Sequence, residues 1–232
     1  MKRILLKTFF TFILLLSFSA VLIYWMEAEK EIRVLCSMFE EGDSIEQVKT
    51  TLDTANLLNY ETIQTGSDQS ILLAESPFDL YSAKCSVSFD RQDMVAEVKF
   101  SQFIDLNRNL AIIGSLILLS LSGMQFLLSF GFPYGEYFWG GYHKVLPVHL
   151  RIGSFVSFLL LSTAMVVLLH QIEWIDIQFL NLPFSELNIF FSLLFLLSTL
   201  ANINSESEKE RMVMTPLASI LYFSFLSSIF VM

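Results

Sequence analysis

Charged side chains are missing from five long stretches of this 232-residue chain: 8–26, 109–135, 152–172, 187–205 and 212–232. Each is long enough to cross a bilayer, since about 20 mostly apolar residues span a hydrocarbon core. Only an α-helix satisfies every backbone polar group inside one such segment. A water-soluble globule is thereby excluded for most of the chain. Histidine is equally scarce, with His143, His149 and His170 the three present. A bis-histidine haem site needs two histidines at matched depth on facing helices, and only His170 lies in an apolar stretch. No apolar stretch carries a mid-span charge and no internal repeat is visible, which counts against a transporter. Cysteine is limited to Cys36 and Cys85, whose spacing is nothing like Cys-x-x-Cys.

What is present is apolar and unevenly charged. Hydrophobic residues make up 54 %, mean hydropathy is +0.59, and 23 phenylalanines suit lipid-facing helices. Between Glu27 and Arg108 stand 16 acids against 7 bases, whereas outside that segment 7 acids balance 7 bases. The whole net charge of −9 therefore falls on one insert. Nucleic acid and anionic headgroups would be repelled by it. The fold class expected is a polytopic α-helical membrane protein of five transmembrane helices with an inserted small α+β extracytoplasmic domain. Its parts are an N-terminal signal-anchor helix over 1–26, the domain over 27–108, and a four-helix bundle over 109–232. The bundle's spans lie near 109–132, 152–172, 187–204 and 212–232.

Basic residues set the orientation. Lys2, Arg3 and Lys7 precede the first span, Lys144 and Arg151 lie between the second and third, and Lys209 and Arg211 lie between the fourth and fifth. All fall on one side if five spans alternate. That places the N-terminus in the cytoplasm of a bacterial inner membrane, with residues 27–108 and the C-terminus in the periplasm. The first span reads as an uncleaved anchor, because its apolar run exceeds a signal-peptide core and the best small-residue cleavage site, Ser17-Phe-Ser19, lies inside it.

Both cysteines fall in the acidic domain. In an oxidising compartment they most simply form one disulfide; two unrelated buried thiols are the alternative. Ser44-Ile-Glu-Gln47 reads as a capping box opening a helix with Ile45, Val48 and Leu52 on one face. After a break at Gly66-Ser-Asp68, residues 71–74 read as a short strand. Residues 81–89 form a clearer one, with Ala83, Cys85, Val87 and Phe89 facing inward. Asp90-Arg-Gln-Asp93 is a turn, and 94–100 return with Ala96, Val98 and Phe100 on one side. Glu41-Gly-Asp-Ser44-Ile-Glu-Gln47-Val48 resembles the G-x-(S/T)-x-x-x-V helix start of the BamE/SmpA-like small lipoprotein fold, and Val87-Ser-Phe89-Asp90…Val95 resembles its closing hairpin. The chain departs from that family in having no lipobox. The resemblance implies a non-enzymatic module used in protein contacts.

In the apolar half, Ala111, Ser115, Ser122, Gly123, Gly153, Ser157, Thr163 and Ala164 let helices approach closely. The intramembrane polar residues are Gln125, His170 and Asn188. The most distinctive stretch is the loop 132–151, with six aromatics between Phe132 and Tyr142 and glycines at 135, 140 and 141. Its plainest reading is a loop folded back on the membrane interface. A sharper one is a cytoplasmic-face site made by Glu136, Trp139, Gly140, Gly141, His143, Pro147 and Arg151 with Asn202, Ser205, Ser207, Glu210 and Arg211 of the next loop. Glu136, His143, His149 and Arg151 are the groups that would converge there. As zinc ligands, His143 and His149 lack a recognisable spacing and a third partner. As acid and base, Glu136 and His143 lack a nucleophile and an oxyanion site. Glu210 and Arg211 can instead pair with Arg151 and Glu136, joining the two loops. Pro216 suits the first turn of the last helix.

Trp139-Gly140-Gly141-Tyr-His143-Lys-Val145-Leu146-Pro147-Val-His-Leu150-Arg151-Ile-Gly153-Ser154, preceded by Gly131-Phe-Pro133-Tyr-Gly135, resembles the W-G-G-x-H-x-V-L-P-x-x-L-R-x-G-S loop of an uncharacterised bacterial four-helix integral membrane family. Asn202-x-x-Ser205-x-Ser207-x-x-Glu210-Arg211…Pro216 resembles its second motif. This covers roughly residues 110–232 and implies four spans with both motifs on the cytoplasmic side. It implies no activity, and the first span and acidic domain depart from its pattern.

No residue pattern indicates a cofactor or metal. The function expected is a non-enzymatic interaction or assembly component with a periplasmic binding module. Its partners are the lipid bilayer and a periplasmic or membrane protein, with no nucleic acid. The alternative is a small membrane enzyme or transporter using the loops 132–151 and 202–211.

Overall fold

A computed structural model describes residues 2–65, 69–176 and 182–229. The hairpin break expected at 66–68 lies outside the described residues. The chain packs as two units, one of residues 20–105 and one of residues 1–19 with 106–232. Five helices are long and apolar enough to cross a membrane, and an antiparallel four-stranded sheet accompanies them.

In the sheet-bearing unit, the first helix runs on well past the end of its apolar stretch. α1 covers Lys2–Met38. Beyond Met26 its pattern changes from uniformly apolar to amphipathic: Ala28, Ile32, Leu35 and Cys36 are buried at helical spacing, as is Phe39 just after it. Glu29 and Arg33 pair at 2.8 Å one turn apart, beside the buried stripe. The helix therefore supplies a wall of the small domain. A short helix, α2 (Ile45–Leu52), follows a reciprocal capping box between Ser44 and Gln47 and buries Val48 and Leu52.

Four strands, β1 (Asn59–Thr65), β2 (Gln69–Glu75), β3 (Ala83–Phe89) and β4 (Val95–Gln102), form a meander in chain order. The inward residues Leu72, Ala74, Ala83, Cys85, Val87, Phe89 and Val95 close a single core with Ile32, Leu35, Cys36 and Phe39 of α1 and with α2. β1 is absent from the sequence reading; its Asn-Tyr-Glu-Thr-Ile-Gln-Thr run lacks a continuous apolar face. One face assignment is also corrected. Phe89 sits opposite Val95 but Ser88 sits opposite Glu97, so Ala96 is the extra residue of a bulge. Val95, Val98 and Phe100 face the core, and Ala96 is exposed. The start of β4 also ties back to the entry of α2: Gly42 N–H donates to Val95 O at 2.9 Å, and Val95 N–H donates to Asp43 O at 2.8 Å.

Cys36 and Cys85 are at bonding distance, with Cα atoms 5.6 Å apart. The bridge joins the end of α1 to a central strand, inside the core.

In the other unit, α3 (Leu106–Ser129) packs against α4 (Val148–Gln171) and α6 (Glu208–Ile229), and α6 packs against α5 (Phe184–Ile203). The start of α1 joins them, with Ser19 and Tyr222 hydroxyls 2.9 Å apart and Phe18 edge-on to Phe223. Gly114 marks the closest approach: a Cβ there would meet Ser224 Oγ at 2.7 Å and Leu168 Cδ1 at 2.9 Å. Of the small residues expected at helix contacts, Ala111, Ser115, Ser122 and Ala164 are buried, whereas Gly123 and Thr163 face outward. Phe225 of α6 lies 5.1 and 5.6 Å from Phe191 and Phe195 of α5.

Among the helix boundaries that differ from expectation, two have consequences for the loops and the last helix. α3 stops at Ser129 although the charge-free run continues to 135. Gly131 takes φ +87°, its N–H donates to Leu128 O at 3.0 Å, and Phe132 N–H donates to Leu127 O, which is a Schellman stop. α6 begins at Glu208, four residues before the apolar run. Pro216 therefore falls inside the helix rather than in its first turn, where it removes one helical donor.

The bridge closes a loop across a separation of 49 residues, worth about 4 kcal/mol in the chain-entropy treatment. Replacing both cysteines with serine is expected to lower the unfolding free energy of the sheet-bearing unit by about that amount in denaturant titration. Alkylation of the non-reduced protein is expected to find no free thiol.

Candidate functional site

The loops at one end of the helical unit lock into each other, and the segment Trp139-Gly140-Gly141 makes this possible. All three residues adopt left-handed backbone, with φ of +55°, +81° and +73°. Glycine takes that conformation freely, whereas a tryptophan does so only when its surroundings hold it there. Trp139 is held: its Nε1–H donates to Ser154 Oγ at 3.1 Å, and its ring lies over Gly153, where a Cβ would come within 2.9 Å of Cη2. The turn leaves the Gly140 N–H pointing at the other loop. There the Glu210 carboxylate accepts it at 3.0 Å.

Glu210 is buried and is the centre of the arrangement. Its Oε2 accepts from Gly140 N–H and from the Ser205 hydroxyl. The spacing Ser207-x-x-Glu210 is that of a capping box, and Ser207 Oγ does accept from Glu210 N–H at 3.3 Å. The carboxylate, however, is turned away from its own helix start to reach the neighbouring loop. Ser207 Oγ also donates to Glu136 O at 3.1 Å. Gly141 packs directly on it, where a Cβ would sit 2.5 Å from Ser207 Oγ.

One ion pair and several hydrogen bonds surround this centre. Lys209 Nζ binds the Glu136 carboxylate and lies 5.7 Å from the Tyr137 ring centre. The Lys209 hydrogen bond holds the Glu136 carboxyl below its ordinary 4.5. The Tyr142 hydroxyl donates to Glu206, whose carboxylate pushes the phenol up from its ordinary 10.0. Arg211 NH1 donates to Ser205 O at 3.1 Å. On the return limb, Pro147 accepts from Leu150 and Arg151 N–H and opens α4. Arg151 Nε donates to Leu146 O at 2.8 Å, and its guanidinium lies over Gly131. Leu128, Phe138 and Leu146 form the apolar floor beneath the loop.

The structure thus brings together Glu136, Trp139, Gly140, Gly141, Ser205, Ser207, Glu210 and Arg211. It leaves His143 and His149 exposed, and Asn202 bonds Ser198 within its own helix. Of the four groups expected to converge, Glu136 pairs with Lys209 and Arg151 donates to the Leu146 carbonyl, while both histidines are exposed. The expected pairing of Glu210 and Arg211 with Arg151 and Glu136 is likewise replaced. Glu210 takes a backbone amide and a hydroxyl, Glu136 takes Lys209, and both arginines donate to carbonyls. Sequence reasoning did not name Lys209, Tyr142 or Glu206 as contributors. The one signal for them was their place in or beside the short charged loop. Among the described residues, no three histidine, cysteine, aspartate or glutamate side chains gather as metal ligands would.

Chemically, the arrangement uses its polar groups on one another. Every one of its hydroxyls and carboxylates named above is engaged in holding loop to loop or loop to helix. Comparison with family models, curated proteins and solved structures finds no match for this chain.

Glu210→Ala is expected to cost about 2 kcal/mol, because it strands a buried amide and removes a charged acceptor. Thermal unfolding of the purified protein measures it, with faster proteolysis within 132–147. His143→Ala is expected to stay within about 0.5 kcal/mol. The Glu136–Lys209 contribution follows a lowered carboxyl, so it is present above pH 4.5 and lost as the pH falls through the folded value. Being exposed, it weakens with salt.

Proposed function

We propose that the chain is an integral membrane protein of five spans that carries an extracytoplasmic interaction module, and that it serves as a non-enzymatic assembly component. The membrane part of this reading is supported by how little of the apolar helices is buried. Between 22 and 39 % of each apolar window is covered within the protein. Large side chains such as Leu116, Leu119, Val156, Leu193 and Leu197 face outward. Water does not tolerate apolar surface on that scale, and hydrocarbon does. The basic residues at 2–7, 144–151 and 209–211 favour a cytoplasmic side for the locked loops and an exported sheet-bearing unit. A disulfide in that unit fits an oxidising compartment.

The observation that carries the non-enzymatic reading is the fate of Glu210. The one buried carboxylate of the loop face is spent on a neighbouring amide and hydroxyl, so it fixes the shape of that face. A rigid platform of this kind presents surface to a partner. The resemblance of 110–232 to a four-helix membrane family agrees with two motifs acting as one face, since Trp139-Gly140-Gly141 and Ser205…Glu210 are the parts that meet. The resemblance of 41–100 to the BamE/SmpA-like fold agrees with a protein-contact module, since Gly42–Asp43 and Val95, its two signature ends, are hydrogen-bonded together.

A second reading, a small membrane enzyme or transporter, has one observation in its favour. Asn188 is fully buried in α5, and neither of its amide atoms has a hydrogen-bond partner. An unsatisfied polar group in an apolar surround is costly, and such positions are candidates for function.

In-cell photo-crosslinking separates the readings. A crosslinker at Glu97 or Lys99, on the uncovered side of β4, is expected to give a discrete adduct with one envelope or membrane protein. The same crosslinker at lipid-facing Leu119 serves as the control. Adducts no different from that control would end the interaction reading.

A further inference from the structure

The segment Ser76–Ser82, between β2 and β3, presents its large apolar side chains outward. Phe78, Leu80 and Tyr81 are exposed, Leu80 by 72 %, and Phe103 beyond the end of β4 is 90 % exposed. In a water-soluble turn these positions favour polar residues. The backbone is also strained to this end, with Leu80 and Tyr81 both left-handed at φ +54° and +59°. A bulky non-glycine pair in that region persists only where its surroundings impose it.

The restraint comes from polar groups beneath. Asp79 is fully buried, and its carboxylate accepts from Ala83 N–H at 2.9 Å and Ser82 N–H at 3.3 Å. Tyr81 N–H donates to Ser76 O at 2.9 Å. Ser82 then ties in the second element: its carbonyl accepts from Phe103 N–H at 3.0 Å, and its Oγ accepts from Ile104 N–H at 2.9 Å. Aspartate inside and aromatics outside is the reverse of a solvated loop. The polar residue acts as the rivet, and the apolar residues form the working surface.

Two facts say what covers this surface. Phe78 stacks on Tyr24, ring centres 5.8 Å apart, and Tyr24 belongs to the apolar run 8–26. Phe103 stands three residues before Leu106, where the next apolar helix begins. The exposed group thus adjoins both chain connections between the sheet-bearing unit and its apolar helices. Tyrosine and phenylalanine at such a level are the side chains that the headgroup boundary favours.

We infer that Phe78, Leu80, Tyr81 and Phe103 form an interfacial anchor that inserts into the lipid headgroup boundary and holds the sheet-bearing unit against the membrane surface. The inference rests on the membrane reading above and adds a lipid-contacting surface on the module itself. The contact is apolar rather than electrostatic, as suits an acidic unit that anionic headgroups repel.

The test uses full-length protein with the Cys36–Cys85 bridge intact and one added thiol at a time. The variants are Leu80→Cys, Phe103→Cys, Glu97→Cys and Leu119→Cys, each labelled with an environment-sensitive fluorophore. They are reconstituted in phosphatidylcholine vesicles containing nitroxide-bearing lipid. Labels at 80 and 103 are expected to lose intensity and shift to the blue, as the label at 119 does, while the label at 97 does neither. Should 119 be quenched while 80 and 103 behave like 97, the membrane reading stands and the anchor is overturned. Should 119 itself escape quenching, the membrane reading falls and the anchor with it. Labels at 80 and 103 that are shielded from aqueous iodide yet untouched by lipid nitroxide would put protein on this surface and likewise overturn the anchor. If the strained position 80 does not accept cysteine, Phe103 decides alone, because its side chain is almost wholly exposed.

Discussion

A backbone amide needs a partner wherever water cannot reach, and this constraint orders the whole chain. Among the described residues, most of each of the five charge-free stretches closes its own hydrogen-bond ladder as an α-helix. Buried hydroxyls such as Ser224 bond carbonyls, that of Leu110 across helices and that of Ile220 along its own. Where the ladder ends, the orphan groups are met by specific devices. Gly131 closes α3 with a Schellman stop, Pro147 opens α4, and Ser207 caps α6. The locked loops are an extension of the same accounting, since the Gly140 amide finds its acceptor in the Glu210 carboxylate of the facing segment.

Most of the fold was legible because the signals are local. Five apolar stretches become five helices, and the lone pair of cysteines lies at bonding distance. The Ser44–Gln47 box opens a helix, and the alternation from Ala83 to Phe89 becomes a strand with Cys85 inward. What escaped depends on tertiary context. The continuation of α1 to Met38 shows in the sequence as a change from uniform to amphipathic patterning, and a search for charge-free runs cannot register that change. β1 is polar on both faces and gains its place by pairing with β2. The bulge at Ala96 shifts one strand by a residue, which strict alternation cannot anticipate.

The two loops that meet were legible in the sequence, but their wiring was not: Lys209, Tyr142 and Glu206 take part unnamed, while Asn202 bonds within its own helix. Aromatic and glycine crowding marked 132–142, and a short polar loop marked 202–211. Which donor meets which acceptor is decided by the left-handed run at Trp139–Gly141, and φ angles at a tryptophan are not readable from composition. Matching opposite charges suggested Glu210 with Arg151. The geometry gives Glu210 the Gly140 peptide N–H and the Ser205 hydroxyl instead. The same lesson appears at Ser76–Ser82, where a buried aspartate and outward aromatics invert the pattern that defines an ordinary loop.

The proposed topology, five membrane spans with residues 27–108 exported and the loops 132–151 and 202–211 cytoplasmic, is most directly tested by thiol labelling of intact cells. Because both natural cysteines are bridged, single replacements Lys99→Cys and Lys144→Cys report cleanly with a membrane-impermeant maleimide. The account predicts that position 99 is labelled once its reagent passes the outer barrier, and that position 144 is labelled only after the inner membrane is opened. Labelling of 144 from outside with 99 protected, or of both alike before opening, would contradict it.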